Sequence, residues 1–538
     1  LVLKAREASI YGREVMLAKV RTGVLTGLDA LSIDVEVRVR DGAPAFTIIG
    51  LGDGAVRESR ERVMSALRQT GFGLPDQILV SLAPAEIKKE GAGLDLSIAL
   101  GILLASGQLA SEVAVGRSFH GELSLDGAIR PVRGILALTI EALEKGVREA
   151  VVPVENEAEA RLITGVQTVG VTSLAELIEY LRDGVEPRGG ARHSALAPAV
   201  RGEERLISDV WGQDSAKRGL IIAAAGGHNI LLIGPPGCGK SMLASAFGSL
   251  TPALTKEETL EVVKIHSVAG LPIKDILLGA RPFRSPHHII SDVGLIGGGS
   301  APRPGEISLA HRGVLFLDEF PEFRRSALES MRAPLESGAV NIVRAKAAVT
   351  FPASFQLIAA MNPCPCGRLG APGGGCLCSR NAIHNYIAKI SQPILDRIDL
   401  HVELSAVPLS RITTGPTTDR LSEELRLRAA VAQARDRQLY RSRHLNSTLS
   451  AIQIKDVLQA DAAALNLLET VAAKIGLSAR GYLRILRVAR TIADLAGEAR
   501  VSAAHVAEAA QFRSLERLER YCRGGALGPA VEIHHRTV

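Results

Sequence analysis

The run Ile230-Leu231-Leu232-Ile233, then Gly234-Pro235-Pro236-Gly237-Cys238-Gly239-Lys240-Ser241, then a helical stretch, most narrows what this chain can fold into. The order of apolar strand, Gly-rich loop and helix matches G-x-x-x-x-G-K-[ST] in the context that pattern requires. It predicts an α/β core with a phosphate-binding loop at the tip of a buried strand. Gly234, Gly237 and Gly239 let backbone N–H groups wrap phosphates, and Pro235, Pro236 and Cys238 fill the variable positions. Lys240 neutralises the β- and γ-phosphates of ATP, Ser241 binds Mg²⁺, and the helix N-terminus adds a favourable field. A Gly-rich turn that merely contains Lys-Ser is the bland alternative, and the flanking strand and helix weigh against it.

Two further strands carry polar tips. Val314-Leu315-Phe316-Leu317 ends in Asp318 and Glu319. Asp318 suits the Mg²⁺ shell, and Glu319 suits the orientation of an attacking water. Leu357-Ile358-Ala359-Ala360-Met361 ends in Asn362, whose amide can position water near a γ-phosphate. Beyond it comes Leu395-Asp396-Arg397-Ile398-Asp399.

At roughly 100–200 residues per domain, 538 residues predict about three domains. Residues 16–183 alternate strand-like and helix-like segments, with strict period-2 alternation over Ile33–Val39. Residues 184–205 read as a Gly/Pro/Ala-rich linker, 206–405 as a second α/β block, 406–520 as a helical lid and 521–538 as a disordered tail. Met16 reads as a natural start, so 1–15 is set aside as an extension. No stretch has the roughly 18 apolar residues of a membrane span. Four of six cysteines crowd together, which points to metal in a reducing, cytoplasmic setting. They form Cys364-Pro365-Cys366 and Cys376-Leu377-Cys378, two C-x-C pairs able to converge as a tetrathiolate for Zn²⁺.

The series of phosphate loop, acidic strand, strand ending in Asn and then Arg resembles the AAA+ ATPases. That resemblance implies Arg397 as the arginine finger reaching a neighbouring subunit's ATP. It implies Arg480, at the start of a lid helix running to about Leu495, as a contact to the γ-phosphate of its own subunit. Arg281-Pro282-Phe283-Arg284-Ser285-Pro286-His287-His288 and Pro304–His311 resemble the magnesium-chelatase-like branch, and within it the ComM/YifB group. So do Met16–Lys19, Ala45–Gly50, Glu58–Arg62 and Arg484–Leu495.

Lys88–Gly93, Gly121–Leu138 and Val151–Glu157 are similar to the Lon protease domain. Matching those motifs puts the Ser of its Ser/Lys dyad at Gly93 and the Lys at Leu136, and neither side chain can do that chemistry. The expectation is a Lon-protease-like fold without proteolysis.

The segment Val340–Val349 reads as a hairpin with Arg344 and Lys346 at its tip, and the resemblance makes it a pore hairpin. Arg281 and Arg284 are the second candidate DNA contacts. Together these imply a homo-hexameric, ATP-driven motor on single-stranded and branched DNA in a central pore, with helicase and branch-migration activity in natural transformation. The alternative is a chelatase-type or chaperone-like ATPase that remodels a protein partner. The net charge of +6 favours neither. Aromatics, at 3% of residues, leave little to stack on bases, so any grip on DNA runs through the phosphates.

Overall fold

The computed structural model describes residues 17–87, 89, 91–187, 205–299, 302–344, 347–369, 375–405, 420–475, 477–513, 515, 518 and 522. Residues 1–15, most of the expected linker, Lys346 and all of 521–538 except Cys522 lie outside them. The chain divides into two compact units, residues 1–199 with 259–278, and residues 200–258 with 279–538.

Unit 1 is built on a mixed sheet. Its strands are β1 (Leu17–Thr26), β2 (Asp29–Arg40), β3 (Ala45–Ile49), β4 (Gln77–Ala83) and β5 (Arg117–Phe119). A small hairpin, β6 (Glu122–Leu123) and β7 (Ile129–Arg130), stands apart, and β8 (Glu149–Pro153) and β9 (Gln167–Val171) complete the sheet. The order is β3-β4-β2-β1-β5-β8-β9. β1 and β2 pair antiparallel from Leu17↔Arg38 to Thr26↔Asp29, and their alternating burial matches the period-2 pattern of the sequence. From β1 through β5, β8 and β9 the pairing is parallel.

The helix Asp95–Ala105 is buried at every residue, which explains why its sequence is apolar all round. Its one charge, Asp95, is held by Arg62 Nε at 2.6 Å and by the Leu123 N–H at 3.2 Å. Residues 259–278 pack within unit 1. Lys264 Nζ lies 2.6 Å from Asp29 Oδ1, and Ser267 Oγ accepts from the Gly134 N–H at 2.8 Å.

Unit 2 holds a five-stranded, wholly parallel sheet. Its elements are β10 (Ile230–Ile233), β11 (Phe283–Arg284), the two-residue strands β12 (Gly297–Gly298) and β13 (Arg303–Pro304), and β14 (Val314–Leu317). Then come β15 (Ala339–Arg344), β16 (Ala347–Pro352), β17 (Gln356–Met361) and β18 (Leu400–Glu403). The sheet order is β11-β14-β17-β10-β18. β10, β14 and β17 are buried throughout, as a parallel sheet covered on both faces demands. The lid helices Arg420–Ser442, Ala451–Leu458, Ala462–Ile475, Ala479–Ala496 and Ala503–Gln511 share one apolar core with this sheet, where Val431, Ile485 and Val488 join Leu232 and Ile358.

Among the described residues no helix is long and apolar enough to cross a membrane.

Candidate functional site

In a parallel sheet the strand ends that carry ligands all face one way. Ile233 is level with Met361, and Leu317 with Ala359, so Gly234, Asp318 and Asn362 all follow the ends of three adjacent strands. The loop after β10 turns through Gly237 (φ +77°) and Gly239 (φ +93°), left-handed conformations that suit glycine. The helix Lys240–Leu250 then begins with the two candidate side chains, Lys240 and Ser241.

Lys240 Nζ donates to Gly234 O (2.8 Å), Pro235 O (3.0 Å) and Asn362 Oδ1 (3.1 Å). Burial holds its ammonium below the ordinary lysine range, with Cys238, Asp318 and Glu319 pulling the other way. An anionic phosphate would offset that cost. Ser241 Oγ donates to Asp318 Oδ2 at 2.8 Å. A hydroxyl and a carboxylate sharing one point beside the phosphate loop are the hard oxygen donors that Mg²⁺ takes.

Glu319 follows with φ +51°, and its N–H donates to Asp318 Oδ1 at 2.8 Å. Its carboxylate is 57% exposed and meets His288 Nδ1 at 2.9 Å. Sequence reasoning missed this partner. It also missed Gln213, whose Nε2 donates to Cys238 O (3.1 Å) and Ser405 O (2.7 Å) and ties the phosphate loop to the end of β18. Neither has a local signal, since each partner is far away in sequence.

The four clustered cysteines converge. All their Sγ atoms lie within 4.8 Å of one another, with Cys364–Cys366 at 3.4 Å and Cys376 at 3.7 Å from both. A tetrahedron with metal–sulfur bonds of about 2.3 Å has edges of about 3.8 Å, so the set fits zinc. Burial pushes the Cys364 thiol up to about 12, while the Arg368 N–H helps bring Cys366 down to about 6. The knuckle lies against the phosphate loop: a Cβ on Gly367 would stand 2.7 Å from Pro236 Cδ.

Arg397 and Arg480 sit elsewhere. They line a cavity of about 540 Å³ together with Asn229, Phe355, Asp399, Arg484 and Glu336. Asn229, Phe355 and Asp399 immediately precede β10, β17 and β18, so this cavity opens where the strands begin, opposite the phosphate loop. Arg397 is bound to Glu336 and donates to Pro393 O at 2.6 Å. Arg480 is 70% exposed and 3.8 Å from Asp396, which Arg484 grips at 3.0 Å. The expected contact of Arg480 with the γ-phosphate of its own subunit therefore does not fit: the lid helix meets the wrong end of the sheet.

The candidate DNA contacts separate in the same way. Arg281 is tied to Glu258 (2.7 Å) and to the carbonyls of Pro252 and Arg312, and Arg284 makes a two-pronged pair with Glu306 at 2.6 and 2.7 Å. Both guanidiniums are committed to internal partners, so the structure does not offer them as phosphate contacts. The hairpin does form. β15 and β16 pair antiparallel from Ala339↔Pro352 to Arg344↔Ala347, which sets Arg344 beside the tip.

In unit 1, Gly93 and Leu136 leave no dyad. Leu136 is fully buried, and its N–H donates to Glu159 Oε1 at 2.8 Å. A nearby cavity of about 990 Å³ includes Glu159, whose carboxyl burial raises to about 7, but the size of that cavity carries no chemistry comparable to the phosphate loop.

Comparison with known proteins gives the family. The family described as "Magnesium chelatase, subunit ChlI" matches residues 206–412, "Subunit ChlI of Mg-chelatase" matches 35–156, and "Magnesium chelatase, subunit ChlI C-terminal" matches 422–513. The chain is 40% identical over 504 residues to YifB of Escherichia coli (strain K12), covering 93% of this chain and 98% of that one. It is 41% identical over 506 residues to the competence protein ComM of Haemophilus influenzae, with the same coverage. Lon protease 2 of Bacillus subtilis is 22% identical over 184 residues, 30% of this chain and 33% of that one. With near-full-length identity of this order and three consecutive family matches, the chain belongs to the magnesium-chelatase-like AAA+ ATPases, in the ComM/YifB group.

Proposed function

We propose that this AAA+ ATPase is a ring-forming motor that uses ATP to move along DNA and to remodel branched recombination intermediates in the cytoplasm during natural transformation. The observation that carries the reading is a hairpin, β15–β16, with Arg344 beside its tip, in the same unit as the candidate nucleotide site. Its 41% identity to a protein named for competence supports DNA as the polymer.

Within one subunit, Gly234–Ser241 hold ATP, Ser241 and Asp318 hold Mg²⁺, Glu319 activates water and Asn362 places it. Mg²⁺ supplies charge neutralisation on the phosphates when bound. Arg397 and Arg480 face away from that site, so in a homo-hexamer they serve the neighbour's nucleotide, and ATP then completes a site only between subunits. The cysteine knuckle holds zinc and braces Asn362 and the phosphate loop. We expect about one zinc per chain by elemental analysis of purified protein, and under about half an equivalent would contradict a structural site.

Arg344, and Lys346 two residues on, would grip phosphates without reading sequence. Arg344→Ala with Lys346→Ala is expected to weaken single-stranded DNA binding at least tenfold at low salt and to flatten its salt dependence, with an unchanged thermal melt. Fluorescence anisotropy measures it, and unchanged affinity would sink the hairpin assignment. The match to chelatase subunits favours a second reading, a remodelling ATPase on a protein partner. Absence of DNA binding by the intact chain would favour it.

A further inference from the structure

We infer that Tyr386 is a positioning residue for hydrolysis: its hydroxyl holds the backbone of Asn362 and so fixes where the Asn362 amide stands. The inference rests on the reading of Asn362 as the group that places the attacking water. The sheet alone does not hold Asn362. The ladder between β10 and β17 ends at Ile233↔Met361, closed by the Gly234 N–H on Met361 O at 3.2 Å, and Asn362 is the first residue beyond it. A backbone N–H that leaves the ladder needs another partner. Tyr386 supplies it, from a side chain that is only 6% exposed. Burial pushes its phenol up to about 12, and a hydrogen bond from the Asn362 backbone pulls the other way, as an N–H donated to the phenol oxygen does. Glu322, Cys364 and Glu319 also act on the phenol through their charges, so it stands close to the ends of β14 and β17.

Tyr386 is itself fixed from both ends of its helix. The helix Arg380–Ile387 buries Ile383, Tyr386 and Ile387. It starts two residues after Cys378, and Ser379 Oγ caps it by accepting from the Ala382 N–H at 3.2 Å. Past its other end, Lys389 Nζ donates to both carboxylate oxygens of Glu322, at 3.0 and 2.9 Å, and stands 5.6 Å over the Tyr386 ring. Glu322 lies in the short turn Phe320–Glu322, directly after Glu319. The chain thus leaves Asn362 into Cys364 and Cys366, returns through Cys376 and Cys378, and comes back to Asn362 at Tyr386. The four thiols, all within 4.8 Å of one another, close the neck of that loop. The knuckle sets where the helix starts, and Tyr386 carries that placement to Asn362. With its backbone held, the Asn362 side chain is confined to the arc on which its Oδ1 already meets Lys240 Nζ at 3.1 Å. A group confined in this way loses less freedom when it orders a water in the transition state.

The test is ATP hydrolysis by the full-length chain, followed with radiolabelled ATP so that slow variants are read. Four proteins are compared: wild type, Tyr386→Phe, Asn362→Ala and the double variant. Phe keeps the ring and its contact with Lys389 and removes only the hydroxyl. The expected result is a kcat about fivefold lower in Y386F, the usual worth of one hydrogen bond, with the KM for ATP, the thermal melt and the zinc content as in wild type. In the N362A background the same change is expected to lower kcat by less than about 1.5-fold, because the hydroxyl then has no amide to place. Three outcomes overturn the inference: a Y386F kcat within about twofold of wild type, an equal loss in both backgrounds, or a raised KM together with a lowered melt in Y386F. Failure of the underlying reading looks different: N362A alone then keeps the wild-type kcat.

Discussion

Glu319→Gln is expected to bind ATP as the wild type does and to hydrolyse it about 10² to 10⁴ times more slowly, the usual worth of a positioned general base. The structure explains why the two properties separate. The candidate binding groups are Lys240, bonded to Asn362, and Ser241, bonded to Asp318, and neither bond involves the Glu319 side chain. Glu319 adds only a carboxylate, 57% exposed, one residue beyond Asp318 at the end of β14. Gln keeps its size and removes its basicity. Steady-state phosphate release together with titration of a fluorescent ATP analogue measures both properties. Turnover close to wild type would show that another group activates the water.

The second large effect concerns the joint between the lid and the sheet. His228 is fully buried, with Nδ1 2.8 Å from Asp399 Oδ2 and Nε2 2.8 Å from Thr491 Oγ1 on the lid helix. Asn446 joins Thr491 at 3.0 Å and Asp494 at 2.8 Å, and Asp494 takes Arg441 and Arg490. Burial alone would raise the Asp399 carboxyl, but the hydrogen bond and charge of His228, together with the charges of Arg484 and Arg487, hold that carboxyl below its ordinary value. His228→Ala removes the bridge and strands a buried carboxylate. Unit 2 is expected to lose about 3–5 kcal/mol, read as a lower urea midpoint. The sign of the pH effect follows from the lowered folded pKa. The stabilisation is present above the unfolded value, near pH 4, and is lost as pH falls through the folded one. A loss under about 1 kcal/mol would mean that the lid is held by its apolar packing and its other polar contacts, such as Arg484 on Asp396, and not by this bridge.

The strands that carry the candidate site were legible because their signals are local. Ile230–Ile233 and Val314–Leu317 are uninterrupted apolar runs, and the strand ending at Met361 begins one residue earlier than its apolar run, at Gln356. Each run is bounded by the candidate residue itself.

What depended on distant pairing was not legible. Arg281 and Arg284 look like free charges in the sequence, because Glu258 and Glu306 lie 23 and 22 residues away. Nothing near Arg480 says which end of the sheet its helix meets, since Asp396 is far from it in sequence. The docking of residues 259–278 on unit 1 and the contact between His288 and Glu319 are long-range in the same sense. The family resemblance located these residues but could not say what each one touches.

The central claim is that ATP hydrolysis at this site drives movement along DNA. Its most direct measurement is strand displacement from a forked duplex by the full-length chain with ATP and Mg²⁺, run beside Glu319→Gln. The account predicts displacement by the wild type that stops in the variant although both bind the fork. A wild type that binds the fork and hydrolyses ATP yet displaces no strand would contradict it.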